Sequence, residues 1–385
     1  MAKRILKNEF ITFIVLLCVS CSAGHEIERE YQTFQLDEPY IVEKIVSQNK
    51  SDKPKNIILM VGDGMSLSIM YTAWAANHGH LYIDNCEYVG LSKTYSTSDL
   101  ITDSGAGGTA FAIGYKTNNQ SVGVDASGNP HPSILEIAME NGLSTGLMVT
   151  CNILDATPSA FVAKIKDRSK WDEIAIQYVN SNVDFVFGGG WDFFKNGKDA
   201  RDLTQELADK GYQLPRTVEE LDAINSGKVF ALTAPDYLPL PEVRKNTFPK
   251  AAMKAIELLS RNEKGFFLMI EGSEIDSRAH ENNLELTVAE THDFDRTIGE
   301  VLKWAANDGE TLVVILADHE CGGLTLVDGD LASGKVEGHF STGGHSGVMI
   351  PVYSFGPEAE NFSGIFENAD VFYKMLNAFD FPNKN

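Results

Sequence analysis

Short apolar runs alternate along this chain with longer stretches of helical periodicity. The runs are NIILMVGDG, TGLMVTCNILDAT, GFFLMIEG and TLVVILADH. Each finishes in a carboxylate: Asp63, Asp155, Glu271 and Asp318, with His319 directly after the last. Runs of this length, bounded by glycine and turn residues, predict buried strands of a parallel sheet. Helical patterns fall at 65–77, 104–114, 132–141, 170–180 and about 285–307. The last carries Val288, Phe294, Ile298 and Val301 near helical spacing. A strand at 348–357 and a helix near 368–379 complete the series. Strands alternating with helices predict βαβ units and a mainly parallel sheet. Between Gly188 and Pro249 polar and turn residues cluster. That stretch, about 189–249, reads as an inserted rim on a single domain spanning 51–385.

Loops at the carboxyl ends of parallel strands line the crevice where ligands bind. Four carboxylates converging there would repel one another, and divalent metal is the direct way to neutralise them. The net charge is -22, which excludes the basic footprint of a nucleic-acid binder. Most of that charge reads as a solvated acidic surface, leaving a minority of carboxylates for metal.

The N-terminus changes the picture of where the chain resides. Lys3, Arg4 and Lys7 precede an apolar run from Phe10 to Ser20, too short to span a bilayer comfortably. Residues 1–20 therefore read as a signal peptide. Leu17, Cys18, Val19, Ser20 and Cys21 resemble a bacterial lipoprotein cleavage box, although Cys18 stands where Leu or a small residue is usual. By that resemblance Cys21 becomes the lipidated first residue, and 21–50 a lipidated N-terminus and tether, flexible from Ser22 to Asp37. The expectation is export to the cell envelope with a membrane anchor, plain secretion being the alternative. Cys86, Cys151 and Cys321 remain, an odd number without CxxC spacing, so no disulfide framework is expected. Cys151 reads as core. Cys321 lies two residues after His319 and reads as a bystander.

Three further segments carry chemistry. In ITDSGAGGTAFAIGYKT, Ser104 stands where a loop turns into a small-residue helix. There a serine meets free backbone N–H groups and the positive helix end, although such residues are more often simple N-caps. In IEGSEIDSRAHENN, Asp276 and His280 are four apart and share a helix face, as zinc ligands or as an exposed pair. His345 lies in the glycine-rich loop STGGHSG and alone would be polar surface.

Asp63, Ser104, Asp155, Thr157, Arg168, Glu271, Asp276, His280, Asp318, His319 and His345 occur in that order. With GDGM, TDSGAGGTA, LDATPSAFVA, EGxxIDxxxH and ADHE, the pattern resembles the alkaline phosphatase family over roughly residues 54 to 357. The resemblance implies an α/β three-layer sandwich. It implies two Zn²⁺ and one Mg²⁺. Asp276, His280 and His345 would hold the first zinc, and Asp318, His319 and Asp63 the second. Asp63 would bridge to magnesium, shared with Asp155, Thr157 and Glu271. Ser104 would be the nucleophile and Arg168 the clamp on phosphoryl oxygens, with phosphate monoesters as substrates and a homodimer allowed. Phosphate monoester hydrolysis is among the slowest uncatalysed reactions, and such an inventory suits it.

Two departures stand out. Ser277 occupies a position where relatives often carry Lys, His or Trp, and the stretch from His319 to His345 is short. The alternatives are a phosphodiesterase or nucleotide pyrophosphatase of the same superfamily, or a non-catalytic metal-binding envelope lipoprotein. The trio Asp155, Thr157 and Glu271 together with Ser104 argues against the former. No CxPxR segment supplies a sulfatase nucleophile.

Overall fold

Nine strands form the central sheet of the computed structural model. In spatial order they are Gly364–Glu367, Tyr88–Lys93, Ile350–Phe355, Thr311–Leu316, Asn56–Gly62, Phe266–Gly272, Ser144–Asn152, Phe185–Gly189 and Val229–Leu232. Only Ile350–Phe355 runs against the others. The structure describes residues 30–197 and 201–381. The expected signal peptide and Cys21 lie outside the described residues. From Tyr31 onward the chain forms one compact unit.

The central strands are apolar on both faces because helices cover both. Ile57, Leu59, Phe267, Met269, Leu312 and Val314 point to one side, where Phe111, Ile137, Tyr178 and Met375 pack on them. Ile58, Met60, Leu268, Ile270, Val313 and Ile315 point to the other, against Ile69, Phe248, Ile256, Val288 and Phe294. This period-two alternation between two apolar layers makes the three-layer α/β sandwich. The helices Ser104–Ile113, Ile134–Glu140, Trp171–Ser181, Leu284–Asp308 and Asp370–Ala378 fall where the sequence places them.

Two regions differ from the sequence reading. Val229–Leu232 lies within 189–249, yet it pairs in parallel with Phe185–Gly189 and closes one edge of the main sheet. The residues assigned to a tether are strapped down from the thirties onward. Gln32–Gln35 pairs antiparallel with Lys335–Phe340, which itself pairs with Leu324–Asp330. The Tyr40 hydroxyl donates to Asp295 at 2.6 Å, and Ile45 is buried. Among the described residues no helix is long and apolar enough to cross a membrane, and Cys86, Cys151 and Cys321 are free thiols.

Candidate active site

Four neighbouring parallel strands deliver the carboxylates. Thr311–Leu316, Asn56–Gly62, Phe266–Gly272 and Ser144–Asn152 lie side by side. Glu271 is the last residue but one of its strand, and Asp63, Asp318 and Asp155 follow theirs within three residues. Asp63, Glu271 and Asp318 are buried at 7%, 1% and 1% exposure. Burial, with Asp318, Asp276 and Glu271 nearby, pushes the Asp63 carboxyl well above its usual range. Burial and the charges of Asp318 and Asp155 do the same to Glu271. Asp155 is pushed up to about 6 by burial, with Arg168 pulling the other way.

Ser104 opens the helix Ser104–Ile113 and is not its cap. Asp103 is the N-cap: its Oδ1 accepts from the Ala106 N–H at 3.0 Å. The Ser104 hydroxyl is thereby left for other work, and its Oγ lies 3.1 Å from His319 Nε2. The small residues behind it set the distance of approach. A β-carbon on Gly107 would lie 3.0 Å from Asp318 Cβ, and one on Gly108 would lie 3.2 Å from Thr157 Cα. Larger side chains would push this helix off two of the strand-end loops. Asp103 also receives Arg168 Nη1 at 3.2 Å and the Gln120 N–H at 3.0 Å, both on Oδ2. Arg168 is thus held beside the helix start. Burial opposes its charge, but Asp103 and Asp155 more than offset this and raise its pKa.

At the mouth the imidazoles gather around Asp276. His280 Nε2 is 3.2 Å from Asp276 Oδ2, and His345 Nε2 is 3.6 Å from Oδ1. Burial opposes the Asp276 charge, but the hydrogen bond from His280 and the charges of His319, His345 and His280 overcome it and hold the carboxyl well below its usual range. The hydrogen bond to Asp276 raises His280 to about 9. His319 Nε2 lies 3.2 Å from Asp318 Oδ2 and 3.4 Å from Asp63 Oδ1, and its ring stacks on His345 at 3.6 Å between centroids.

The donors fit metal ions. His280 Nδ1 lies 2.8 Å from the Gly343 carbonyl and His345 Nδ1 2.8 Å from that of Thr102. If each Nδ1 carries the proton, the two Nε2 atoms face each other at 3.1 Å as acceptors. A cation between them resolves that clash of lone pairs. Asp63 Oδ1, Thr157 Oγ1, Glu271 Oε2, Asp276 Oδ1 and Asp318 Oδ2 are buried without a hydrogen-bond partner. Unpaired buried oxygens of this kind are costly unless an ion takes them up. Among the described residues two compact donor groups result: Asp276, His280, His345 and Cys321, and Asp63, Asp276 and His319.

A model of the alkaline phosphatase family matches residues 54–338. The chain belongs to the alkaline phosphatase family. Alkaline phosphatase from Escherichia coli (strain K12) is 30% identical over 405 residues, covering 84% of this chain and 86% of that protein. Alkaline phosphatase 4 of Bacillus subtilis (strain 168) is 36% identical over 300 residues, covering 73% of this chain. That match spans 65% of the Bacillus protein, just under two thirds of its length. The alkaline phosphatase of the Antarctic bacterium TAB5 superposes with a TM-score of 0.83 at 37% identity, covering 86% of this chain and all of that one. A variant of the TAB5 enzyme was solved with magnesium in its M3 site, and it superposes with a TM-score of 0.81 at 36% identity over 86% of this chain.

Asp103, Tyr237 and Cys321 each take a part in the site of this family member that escaped the sequence. Asp103 has a double role, as cap and as partner of Arg168; the signal was an aspartate directly before a small-residue helical run. Tyr237, from the segment 189–249, lies close enough to Asp155 to help hold its carboxyl down against burial. Its neighbour Leu238 is tied to the Thr150 carbonyl at 3.0 Å. No pattern in the sequence marks that contact. The Ser277 hydroxyl, at the position where relatives often carry Lys, His or Trp, donates to Glu274 Oε1 at 3.4 Å. Cys321 was set aside as a bystander, and it joins the donors around Asp276.

Proposed function

We propose that this chain hydrolyses phosphate monoesters through a phosphoserine intermediate on Ser104. The observation that carries the reading is the row of unpaired buried carboxylate oxygens facing a serine that is free of capping duty. Asp276, His280 and His345 would hold one Zn²⁺, and Asp63, Asp318 and His319 a second. Asp155, Thr157 and Glu271, all oxygen donors, would hold Mg²⁺ with Asp63 bridging. Bound there, these ions supply the Lewis acidity that lowers the pKa of a coordinated hydroxyl and neutralises oxygens that gain charge.

The chain's own residues do the rest. Arg168 offers paired N–H donors to two non-bridging phosphoryl oxygens, and Asp103 keeps the guanidinium aimed. Ser104 releases its hydroxyl proton to solvent and its Oγ attacks phosphorus as the ester P–O bond breaks on the opposite side, the departing oxygen taking a proton from water. The Ser104 side chain projects from the first turn of its helix, where free N–H groups favour an anion. Water then attacks the phosphoserine, releasing inorganic phosphate and restoring the hydroxyl. The imidazole of His319 is shared among Ser104, Asp63 and Asp318, so it serves better as a metal ligand than as a general base.

The deciding experiment compares p-nitrophenyl phosphate with its bis-ester and traps the intermediate by acid quench. Rapid monoester turnover with a phosphorylated Ser104 peptide supports the reading. A higher rate on the diester would favour a phosphodiesterase instead. The proposal extends to location: cleavage before Cys21, lipid on that cysteine and a place on the cell envelope. Mass spectrometry of the mature N-terminal peptide checks this, and an unmodified peptide starting elsewhere would refute it.

A further inference from the structure

Cys321 enters the site through backbone pairing. The short strand Glu320–Cys321 runs antiparallel to His345–Ser346, with Cys321 directly opposite His345. Directly opposed residues of an antiparallel pair project to the same face. The thiol and the imidazole therefore arrive together. Cys321 is fully buried at 0% exposure, and its Sγ lies 3.7 Å from the Asp276 carbonyl oxygen. Its Sγ and one donor atom from each of Asp276, His280 and His345 all lie within 4.8 Å of one another.

Two further observations point to a ligand at the centre of this group. Asp276 Oδ1 is buried and has no hydrogen-bond partner. His280 and His345 present Nε2 atoms to each other, while each Nδ1 faces a backbone carbonyl. The Gly64 backbone packs closely against both Asp276 and Cys321. Gly64 sits at φ +68°, and a β-carbon there would lie 2.9 Å from both Asp276 Oδ1 and Cys321 Cβ.

We propose that Cys321 is a fourth ligand of the zinc ion held by Asp276, His280 and His345. The proposal rests on the reading that this group holds zinc. On ligation the S–H bond breaks, a sulfur–zinc bond forms and the proton leaves to solvent. Two nitrogens, one oxygen and one sulfur make a closed tetrahedral set, the pattern of a structural zinc site. A catalytic zinc keeps one position open. Substrate entry must then either displace the sulfur or expand the ion to five ligands. Cys321 thus acts as a resting-state ligand, and it biases the site toward thiophilic ions such as zinc and cadmium over magnesium.

The test is cobalt reconstitution of the metal-free full chain, read by absorption spectroscopy. Cobalt(II) bound to a thiolate shows an intense near-ultraviolet charge-transfer band, separate from the visible ligand-field bands that report occupancy. The band is expected in the wild type, lost in Cys321→Ser, and kept in Cys86→Ser and Cys151→Ser. Zinc affinity at this site should fall about tenfold or more in Cys321→Ser, measured by competition with a chromophoric chelator. Ligand-field bands without a charge-transfer band in the wild type would overturn the sulfur ligand and leave the zinc reading standing. So would a band that survives in Cys321→Ser. No bound cobalt at all would overturn both. The wild-type spectrum decides the matter even if the serine variant does not fold.

Discussion

At the mouth of the site Asp276 lies among imidazoles, whereas deeper in Asp63, Glu271 and Asp318 lie among one another. The first carboxyl is held well below its usual range by His280 and its neighbours. Asp63 and Glu271 are pushed well above it by burial and mutual repulsion. The same side-chain chemistry thus has opposite needs less than one domain apart. The mouth balances its charge from within the protein, so a metal there is held mainly by geometry and donor type. In the interior His319 alone among the imidazoles stands against both Asp63 and Asp318, and the remaining carboxylate charge calls for cations from outside. Metal should therefore matter to the stability of the interior and to the chemistry of the mouth.

The largest expected effect lies where both regions meet, at Ser104. Ser104→Ala should lower kcat by roughly 10³-fold or more, because the covalent route is lost. Metal content and melting temperature should change little. Near-wild-type turnover measured on p-nitrophenyl phosphate would remove the nucleophile from the account.

Metal removal sharpens the contrast. Asp155, Asp63 and Glu271 all have raised folded-state pKa values. A carboxyl raised by folding adds stability below its unfolded pKa and loses it as pH climbs through the folded value. For Asp155 the loss runs from about 4, its unfolded value, to about 6. The metal-free protein should accordingly lose stability over that window, and the metal-loaded protein should not. Calorimetry at pH 5 and pH 8 should show a melting-temperature gain from zinc and magnesium that grows with pH. An equal gain at both pH values would contradict the repulsive interior.

Paired substitutions in the metal-free protein set the two regions against each other. Asp63→Asn removes a repelling charge and should raise the melting temperature. Asp276→Asn leaves the imidazole cluster without its counter-charge and should lower stability by about 1–2 kcal/mol. In the metal-loaded protein both should destabilise. The same sign for both variants without metal would erase the distinction.

The smallest expected effect is at Ser277, whose hydroxyl faces Glu274. Ser277→Ala should shift the inhibition constant for inorganic phosphate less than about twofold, within the range of a weak exposed contact. A larger shift in a phosphate inhibition series would place this side chain in the phosphate pocket.

The central sheet was legible because its strands are the ones buried on both faces. NIILMVG, GLMVT, FFLMI and TLVVIL are apolar throughout except for a polar residue at one end of three of them, so their type and their carboxyl-end acids stood out together. The edges were not legible. Tyr88–Lys93 carries Gly90 in its middle, where a β-carbon would lie 2.2 Å from the Phe362 carbonyl oxygen. Its need for glycine hides it from a search for apolar runs. Val229–Leu232 is only four residues long and sits amid polar text. The strap at Gln32–Gln35 takes its order from pairing with residues some three hundred positions away, which local pattern cannot show. In the site, motif order brought out acids and histidines that the fold gathers at the strand ends. Cys321 and Tyr237 depend on strand pairing and loop anchoring that spacing alone does not encode.

The most direct check of the central claim is the metal content of purified, active protein by mass spectrometry. The account expects two zinc ions and one magnesium ion per chain, with activity lost on chelation and restored by both metals together. A fully active protein without any bound transition metal would contradict it.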